Sequence, residues 1–266
     1  MVHLFHKTYG KKKNNMKLVD THCHLTFEPM FDRLRPVLER ARKANVDRVI
    51  VPSYDLDSWK HVEHVAGFEG VSCAYGLHPW VADQPLSRTD LERALDREKV
   101  VAIGEIGLDY KIPKYDRRRQ MEVLRIQLDV AVERSLPVIL HCRGAFDDLL
   151  DMLASYNGDV TGVLHAFSRG PQLALRFTDM GLYLGFGGAI TRPGAIRCHK
   201  SAGVVPLDRI VLETDAPSIG LDGVEPTDVE PKHVADIAKS LASLRDTDIG
   251  DIARITTCNA EKIFGL

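Results

Sequence analysis

Six stretches of the chain end in side chains that bind metals or move protons. Asp20-Thr21-His22-Cys23-His24 closes the first, and His78 and Glu105 close two more. His141-Cys142-Arg143, His165 and Glu213-Thr214-Asp215 close the remaining three. His22 and His24 stand two apart, so in an extended strand both rings face the same side. Neutral imidazoles side by side suit a shared divalent cation. An isolated His-x-His is common on surfaces and says little. Four histidines (His22, His24, His141, His165) and two carboxylates (Glu105, Asp215) at the ends of apolar runs say more. Buried without partners, such groups would cost several kcal/mol in desolvation. Metal binding is the reading these positions favour.

Six ligands exceed the three or four of a single open zinc site and suit two ions about 3.5–4 Å apart, bridged by a carboxylate. Glu105, from a middle run, is the natural bridge. Cys23 alternates away from His22 and His24, as Cys142 does from His141, so no thiolate is expected to coordinate. Two Mg, Mn or Zn ions are expected, with no choice among them. Such a centre lowers the pKa of bound water towards about 7 and suits phosphodiester hydrolysis. Asp215, with an oxygen to spare, is the expected proton acceptor, and Glu105 the other catalytic group. Arg143 lies on the face of His141 and fits either a phosphate or an ion pair with Asp109 or Glu213. His78 fits substrate contact or support of a ligand.

Other polar features read more plainly. His61 and His64 share a helix with Trp59, Lys60 and Glu63 and read as a solvated face. Arg117, Arg118 and Arg119 open the longest helix and read as surface, with a phosphate contact as the other option. Gly185, Gly187 and Gly188 either admit a substrate backbone or relieve crowding. Phe167 and Tyr110 either stack a base or pack at the rim.

The elements that must position these groups alternate regularly. The apolar runs KLVDTHCH, VDRVIVPS, GVSCAYGLHP, VVAIGEIGLD, LPVILHC, GDVTGVLHAF, GLYLGFGGAI and RIVLETDAP are short, rich in Val and Ile, and bounded by Gly, Pro or Asp. That is the pattern of strands buried on both faces. Helices are predicted over 32–44, 55–68, 87–97, 117–135, 145–156, 171–180, 194–202, 231–244 and 248–264. In 117–135 the apolar stripe runs through Met121, Leu124, Leu128, Ala131 and Val132. Eight strands alternating with helices in about 250 residues predict a single-domain (β/α)8 TIM barrel, whose catalytic groups gather at the C-terminal ends of the strands. A doubly wound sheet would announce a Gly-rich phosphate loop, and none follows any run.

Composition sets the remaining bounds. The 266 residues carry 35 basic and 37 acidic side chains, so no general basic coat is available to nucleic acid and any such contact must be local. No run is long and apolar enough to span a bilayer. Five widely spaced cysteines without a Cys-x-x-Cys pair point away from a disulfide framework and fit a cytoplasmic protein. Residues 1–15, Lys- and Asn-rich and without periodicity, read as a disordered extension before a barrel over 16–266. With no apolar helix stripe left over, a monomer is expected.

The segments Val19-Asp-Thr-His-Cys-His24, Gly76-Leu-His-Pro79, Gly104-Glu-Ile-Gly-Leu-Asp109, Leu136-Pro-Val-Ile-Leu-His-Cys-Arg143, Leu164-His-Ala-Phe-Ser168, Gly185-Phe-Gly-Gly188, Leu212-Glu-Thr-Asp-Ala-Pro217 and Asn259-Ala…Phe264-Gly-Leu follow one another in order. Together they resemble the TatD family of metal-dependent deoxyribonucleases, in the amidohydrolase-like barrel superfamily, over about residues 17–266. The resemblance implies that His22, His24 and Asp215 hold one metal, while Glu105 bridges to a second held by His141 and His165. It implies hydrolysis of DNA, often nucleotide by nucleotide from a 3′ end. Where superfamily relatives carry a carbamylated lysine, this chain has Glu105, the TatD-type choice. Val224-Glu225-Pro226 departs from the family's Asn-containing version of that loop. A metal-dependent hydrolase of a carboxylic ester or amide, such as an aminoacyl-tRNA deacylase, is the alternative expectation. A metal-bound scaffold without catalysis is the third.

Overall fold

The computed structural model describes residues 16–266; the extension expected over 1–15 lies outside the described residues. All eight runs form strands: β1 (Leu18–Asp20), β2 (Val46–Pro52), β3 (Val71–Tyr75), β4 (Val100–Asp109), β5 (Val138–Arg143), β6 (Gly162–Leu164), β7 (Tyr183–Phe186) and β8 (Ile210–Leu212). They pair in parallel and in chain order. The helices are α1 (Leu34–Lys43), α2 (Ser58–Ala66), α3 (Arg88–Leu95), α4 (Arg117–Arg134), α5 (Phe146–Ala154), α6 (Pro171–Asp179), α7 (Ile196–Val204), α8 (Val234–Arg245) and α9 (Ile249–Phe264). This is the expected TIM barrel in one domain.

The apolar runs have two destinations, which is why they show no polar alternation. One buried residue from each strand (Val19, Ile50, Ala74, Ala102, Ile139, Val163, Tyr183 and Val211) fills the barrel interior. Ala260 and Phe264, from the last turns of α9, join this interior cluster and plug it. The alternate residues, among them Leu18, Val49, Cys73, Ile103, Leu140, Leu164, Leu184 and Ile210, pack outward under the helices.

Helix ends follow from local chemistry. The Ser87 and Asp116 side chains accept from the Asp90 and Arg119 amides and start α3 and α4. Asp248 does the same for α9 through the Gly250 amide. The α4 stripe differs from the expected one. Leu124, Leu128 and Ala131 are buried as expected, but Met121 and Val132 are only partly so, and Gln120, Val123 and Gln127 take the inner positions. Both glutamine side chains are spent on backbone groups at the strand ends. Gln127 Oε1 accepts from the Leu77 amide at 2.7 Å and its Nε2 donates to the Leu77 carbonyl at 3.2 Å. Gln120 repeats the pattern on Asp109, at 2.8 and 3.0 Å.

Where β8 meets β1 the barrel closes through side chains as much as through backbone. The Thr21 amide and hydroxyl both donate to the Leu212 carbonyl, each at 3.0 Å. The buried Asp20 carboxylate accepts from the Thr214 amide at 2.9 Å and from its hydroxyl at 2.6 Å. The Asp215 amide donates to the His22 carbonyl at 2.8 Å. Among the described residues no helix is long and apolar enough to cross a membrane.

Candidate metal centre

Every ligand candidate arrives on the C-terminal side of its strand. His22 and His24 leave β1, Glu105 lies within the extended end of β4, His141 ends β5, and His165 and Asp215 follow β6 and β8. Asp215 sits at φ 51°, a left-handed conformation that Asp tolerates better than most residues. The hydrogen bond its amide donates to the His22 carbonyl holds that turn against the first pair of histidines.

The six side chains form two groups sharing one carboxylate. His22 Nε2 and His24 Nε2 are 3.2 Å apart, and Glu105 Oε2 stands 3.3 and 3.4 Å from them. Asp215 Oδ1 stands 3.6 Å from His22 Nε2 and 3.3 Å from His24 Nε2. The two histidine nitrogens and the Asp215 oxygen form a triangle with edges of 3.2–3.6 Å, close enough for one ion to meet all three at about 2.1 Å, the length of a zinc–nitrogen or zinc–oxygen bond. The other Glu105 oxygen faces the second group. Oε1 lies 3.0 Å from His141 Nδ1, 2.8 Å from His165 Nε2 and 3.2 Å from His78 Nε2, and the His141 and His165 nitrogens are 3.2 Å apart. No thiol enters a ligand cluster among the described residues.

The electrostatics differ from ring to ring, holding His22 and His78 towards the neutral form and Glu105 and Asp215 ionised, while the Glu105 charge favours a proton on His165. Burial, followed by the nearby His165, pushes His22 down to about 4, so the ring stays neutral. Burial likewise lowers His78. Burial works against the Glu105 carboxylate, but His78, His165 and His22 outweigh it and hold the group well below the usual carboxylate range. Burial would lower His165, yet Glu105 reverses this and lifts it to about 10. Asp215 is lowered, the surrounding histidines overcoming burial. The far ring nitrogens of His22, His24 and His165 have no hydrogen-bond partner.

Supporting groups were less visible in sequence. His141 Nε2 meets Asp109 Oδ2 at 3.1 Å, which turns its Nδ1 towards Glu105. Asp109 is fully buried and also accepts from Trp80 Nε1 at 2.6 Å and from the Lys111 amide at 2.8 Å. Arg143 Nε reaches the same carboxylate at 2.9–3.0 Å, the first of the two ion pairs considered for it, while its guanidinium stays half-exposed at the cavity edge. Glu213, the other partner considered for Arg143, lies instead under His165, whose Nδ1 is 3.8 Å from Glu213 Oε1. It takes the Ala166 amide as a donor, and burial pushes it up to about 8. The space a Cβ at Gly185 would need is filled by the Glu213 carboxylate. At that position the reading of relieved crowding holds.

The centre opens into a cavity of about 340 Å³. Phe27, Tyr54 and Trp80, from the loops after β1, β2 and β3, line one side, with Phe27 stacked on His24 at 4.8 Å and Tyr54 on His78 at 5.2 Å. Arg143, at the end of β5, lies over the Trp80 ring at 5.7 Å, and Phe146, Phe167 and Arg169, from beyond β5 and β6, complete the lining. Sequence reasoning missed this aromatic wall, for rim loops carry no periodicity. Its one local signal was Trp80 directly after Gly-Leu-His-Pro. Of the two aromatics expected to stack or pack, Phe167 is buried against Phe186 and Tyr110 is tied by its hydroxyl to Asp148 at 2.6 Å. His61 and His64 are exposed as expected, whereas Trp59 on the same helix is buried and donates to the Gly76 carbonyl at 3.1 Å. Arg117 pairs with Asp148 and Arg119 caps the Ala82 carbonyl, so two of the three helix-opening arginines have structural partners.

Comparison with known proteins agrees in extent as well as in kind. The family profile described as TatD-related DNase matches residues 19–265. The metal-dependent hydrolase YjjV of Escherichia coli is 35% identical over 255 residues, covering 94% of this chain and 98% of that protein. The metal-dependent hydrolase YabD of Bacillus subtilis is 34% identical over 252 residues, covering 93% and 98%. The crystal structure of YjjV, a TatD homologue, superimposes with a TM-score of 0.89 over 95% of this chain and 99% of that one. The structure of an Entamoeba histolytica TatD-family hydrolase, at 21% identity and a TM-score of 0.83 over 94% of this chain and 98% of that one, shares the fold. With the barrel, the ordered rim residues and a profile match from the first strand to the last helix, the chain belongs to the TatD-related DNase family.

Proposed function

We propose that the protein is a metal-dependent hydrolase that cleaves phosphodiester bonds at the end of a DNA strand, the 3′ end by the family resemblance. The observation that supports it most is the split of Glu105, one oxygen facing the His22–His24–Asp215 group and the other facing His141 and His165. On this reading His22, His24, Glu105 and Asp215 hold one divalent ion, and Glu105, His141 and His165 hold a second. The ions, when bound, polarise the phosphoryl oxygens and make water nucleophilic near neutral pH.

The chain's own residues supply the rest. Asp215 holds its carboxylate ionised beside His22 and His24 and is placed to take a proton from attacking water on its second oxygen. Asp109 fixes the His141 ring, so that Nδ1 presents a lone pair to the centre. Arg143, anchored through Nε to Asp109, keeps its outer nitrogens at the cavity edge for a phosphate oxygen. His78 stacks beneath Tyr54 and reaches Glu105 Oε1, which steadies the bridging carboxylate. The wall of Phe27, Tyr54 and Trp80 gives an unpaired base a surface to stack on. A monomer acting on single strands suffices for this chemistry.

The test is release of nucleotides from end-labelled single-stranded DNA with Mg, Mn or Zn supplied in turn, run beside RNA, aminoacyl-tRNA and small amides. Wild type is expected to shorten the DNA only with metal, and Glu105→Gln to lose about 10²–10³-fold in rate and to retain less metal by elemental analysis. Turnover of the ester or amide substrates without DNA cleavage would overturn the assignment.

A further inference from the structure

The cavity over the metal centre does not end at its rim. Arg169, on the loop after β6, lines both that cavity and a neighbouring groove of about 420 Å³, bordered also by Gly170, Gln172, Leu173, Arg176 and Arg197. The groove lies along α6 and the start of α7, and Arg169 follows β6, the strand that the chain-ordered barrel sets across from β2 and the Tyr54 loop.

Its charge is scarcely compensated. Among the described residues the guanidinium groups of Arg169 and Arg197 have no carboxylate within ion-pair distance. Arg169 instead lies over the Phe146 ring at 5.1 Å, which fixes its direction without neutralising it. Arg176 has a single acidic neighbour, Asp147 at 3.6 Å, and both side chains are more than half exposed. A pair of that kind is worth little in water. No carboxylate borders the groove, in a chain whose overall charge is -2.

Resting on the proposed nuclease reading, we propose that this groove is a subsite for the phosphates of single-stranded DNA beyond the bond being cut, with Arg169 joining it to the metal centre. The terminal nucleoside then lies against the aromatic wall, and the rest of the strand leaves across Arg169 towards Arg176 and Arg197. Stacking on one side and phosphate binding on the other give the strand a direction across the rim. They also make the enzyme prefer strands longer than a dinucleotide.

The experiment compares the wild type with Arg176→Ala/Arg197→Ala on a labelled ten-nucleotide strand and on a dinucleotide, both with saturating metal. Both arginines are exposed, so the double variant should fold as the wild type does. The expected result is a KM for the longer strand raised about tenfold, with KM and kcat for the dinucleotide unchanged. The slope of log affinity against log salt for the longer strand should flatten by about 1.4, or about 0.7 for each single-strand phosphate that an arginine no longer neutralises. If the variant loses both substrates equally, or neither, the groove assignment falls while the nuclease reading stands. If the wild type cleaves neither substrate, the nuclease reading itself falls, and the groove with it.

Discussion

Asp109 gathers more of the site than its place in the sequence suggests. One buried carboxylate orients His141, accepts the Trp80 indole and anchors Arg143. Burial opposes its charge, yet the hydrogen bonds from His141 and Trp80 hold it far below the usual carboxylate range. Replacing it by Asn keeps the volume and removes the charge that sets the His141 tautomer. Asp109→Asn should therefore weaken metal affinity about 10–100-fold, as read by titration with a chelating indicator, while the circular dichroism spectrum stays unchanged. The side chains that cluster at the rim were legible in sequence as ligand candidates, because an ionisable residue ending an apolar run is conspicuous. The groups behind them were not. Asp109, Glu213 and Asp20 sit among the same runs, and only the folded rim separates a carboxylate that faces the cavity from one that faces a neighbouring backbone.

At the scale of elements, the eight strands and nine helices among the described residues match the runs read from sequence, since burial on both faces and a 3.6-residue stripe are each written locally. The register of α4 was the exception. Its inner positions include Gln120 and Gln127, which a hydropathy pattern assigns to the outside. Their amides are satisfied by the backbone of Asp109 and Leu77, so burying them leaves no polar group stranded. The pair joins the first turn and the middle of α4 to Asp109 at the end of β4 and to Leu77, next to His78, beyond β3. Gln127→Leu would leave the Leu77 amide and carbonyl without partners, at a cost of about 1–3 kcal/mol. Urea unfolding should show a lower midpoint with an unchanged slope. Full stability in that variant would mean that water or a shifted backbone replaces the amide.

Across the whole molecule, the interior of the barrel is apolar below and ionisable above. The lower layer, one side chain per strand plugged by Phe264, holds the strands together. The upper layer crowds buried carboxylates and imidazoles whose mutual spacing suits cations. Metal should therefore stabilise the fold as well as activate it. At a hundredfold excess over its dissociation constant, a bound ion adds about 2.7 kcal/mol. Differential scanning calorimetry should show the melting temperature fall on treatment with a chelator and recover with Mn or Zn. An unchanged melting temperature would mean that the centre is held rigid by the protein alone.

The seam between β8 and β1 has a consequence for how the protein is made. The Asp20–Thr214 pair joins residues 194 positions apart, and Asp215 completes the group that His22 and His24 begin. A chain emerging from the ribosome carries its first two histidines early and Glu105 midway, but acquires Asp215 only after most of the barrel has been translated. The hydrolytic centre is thereby withheld from unfinished chains, and truncation before Thr214 leaves a fragment that lacks both the seam and the completed ligand set.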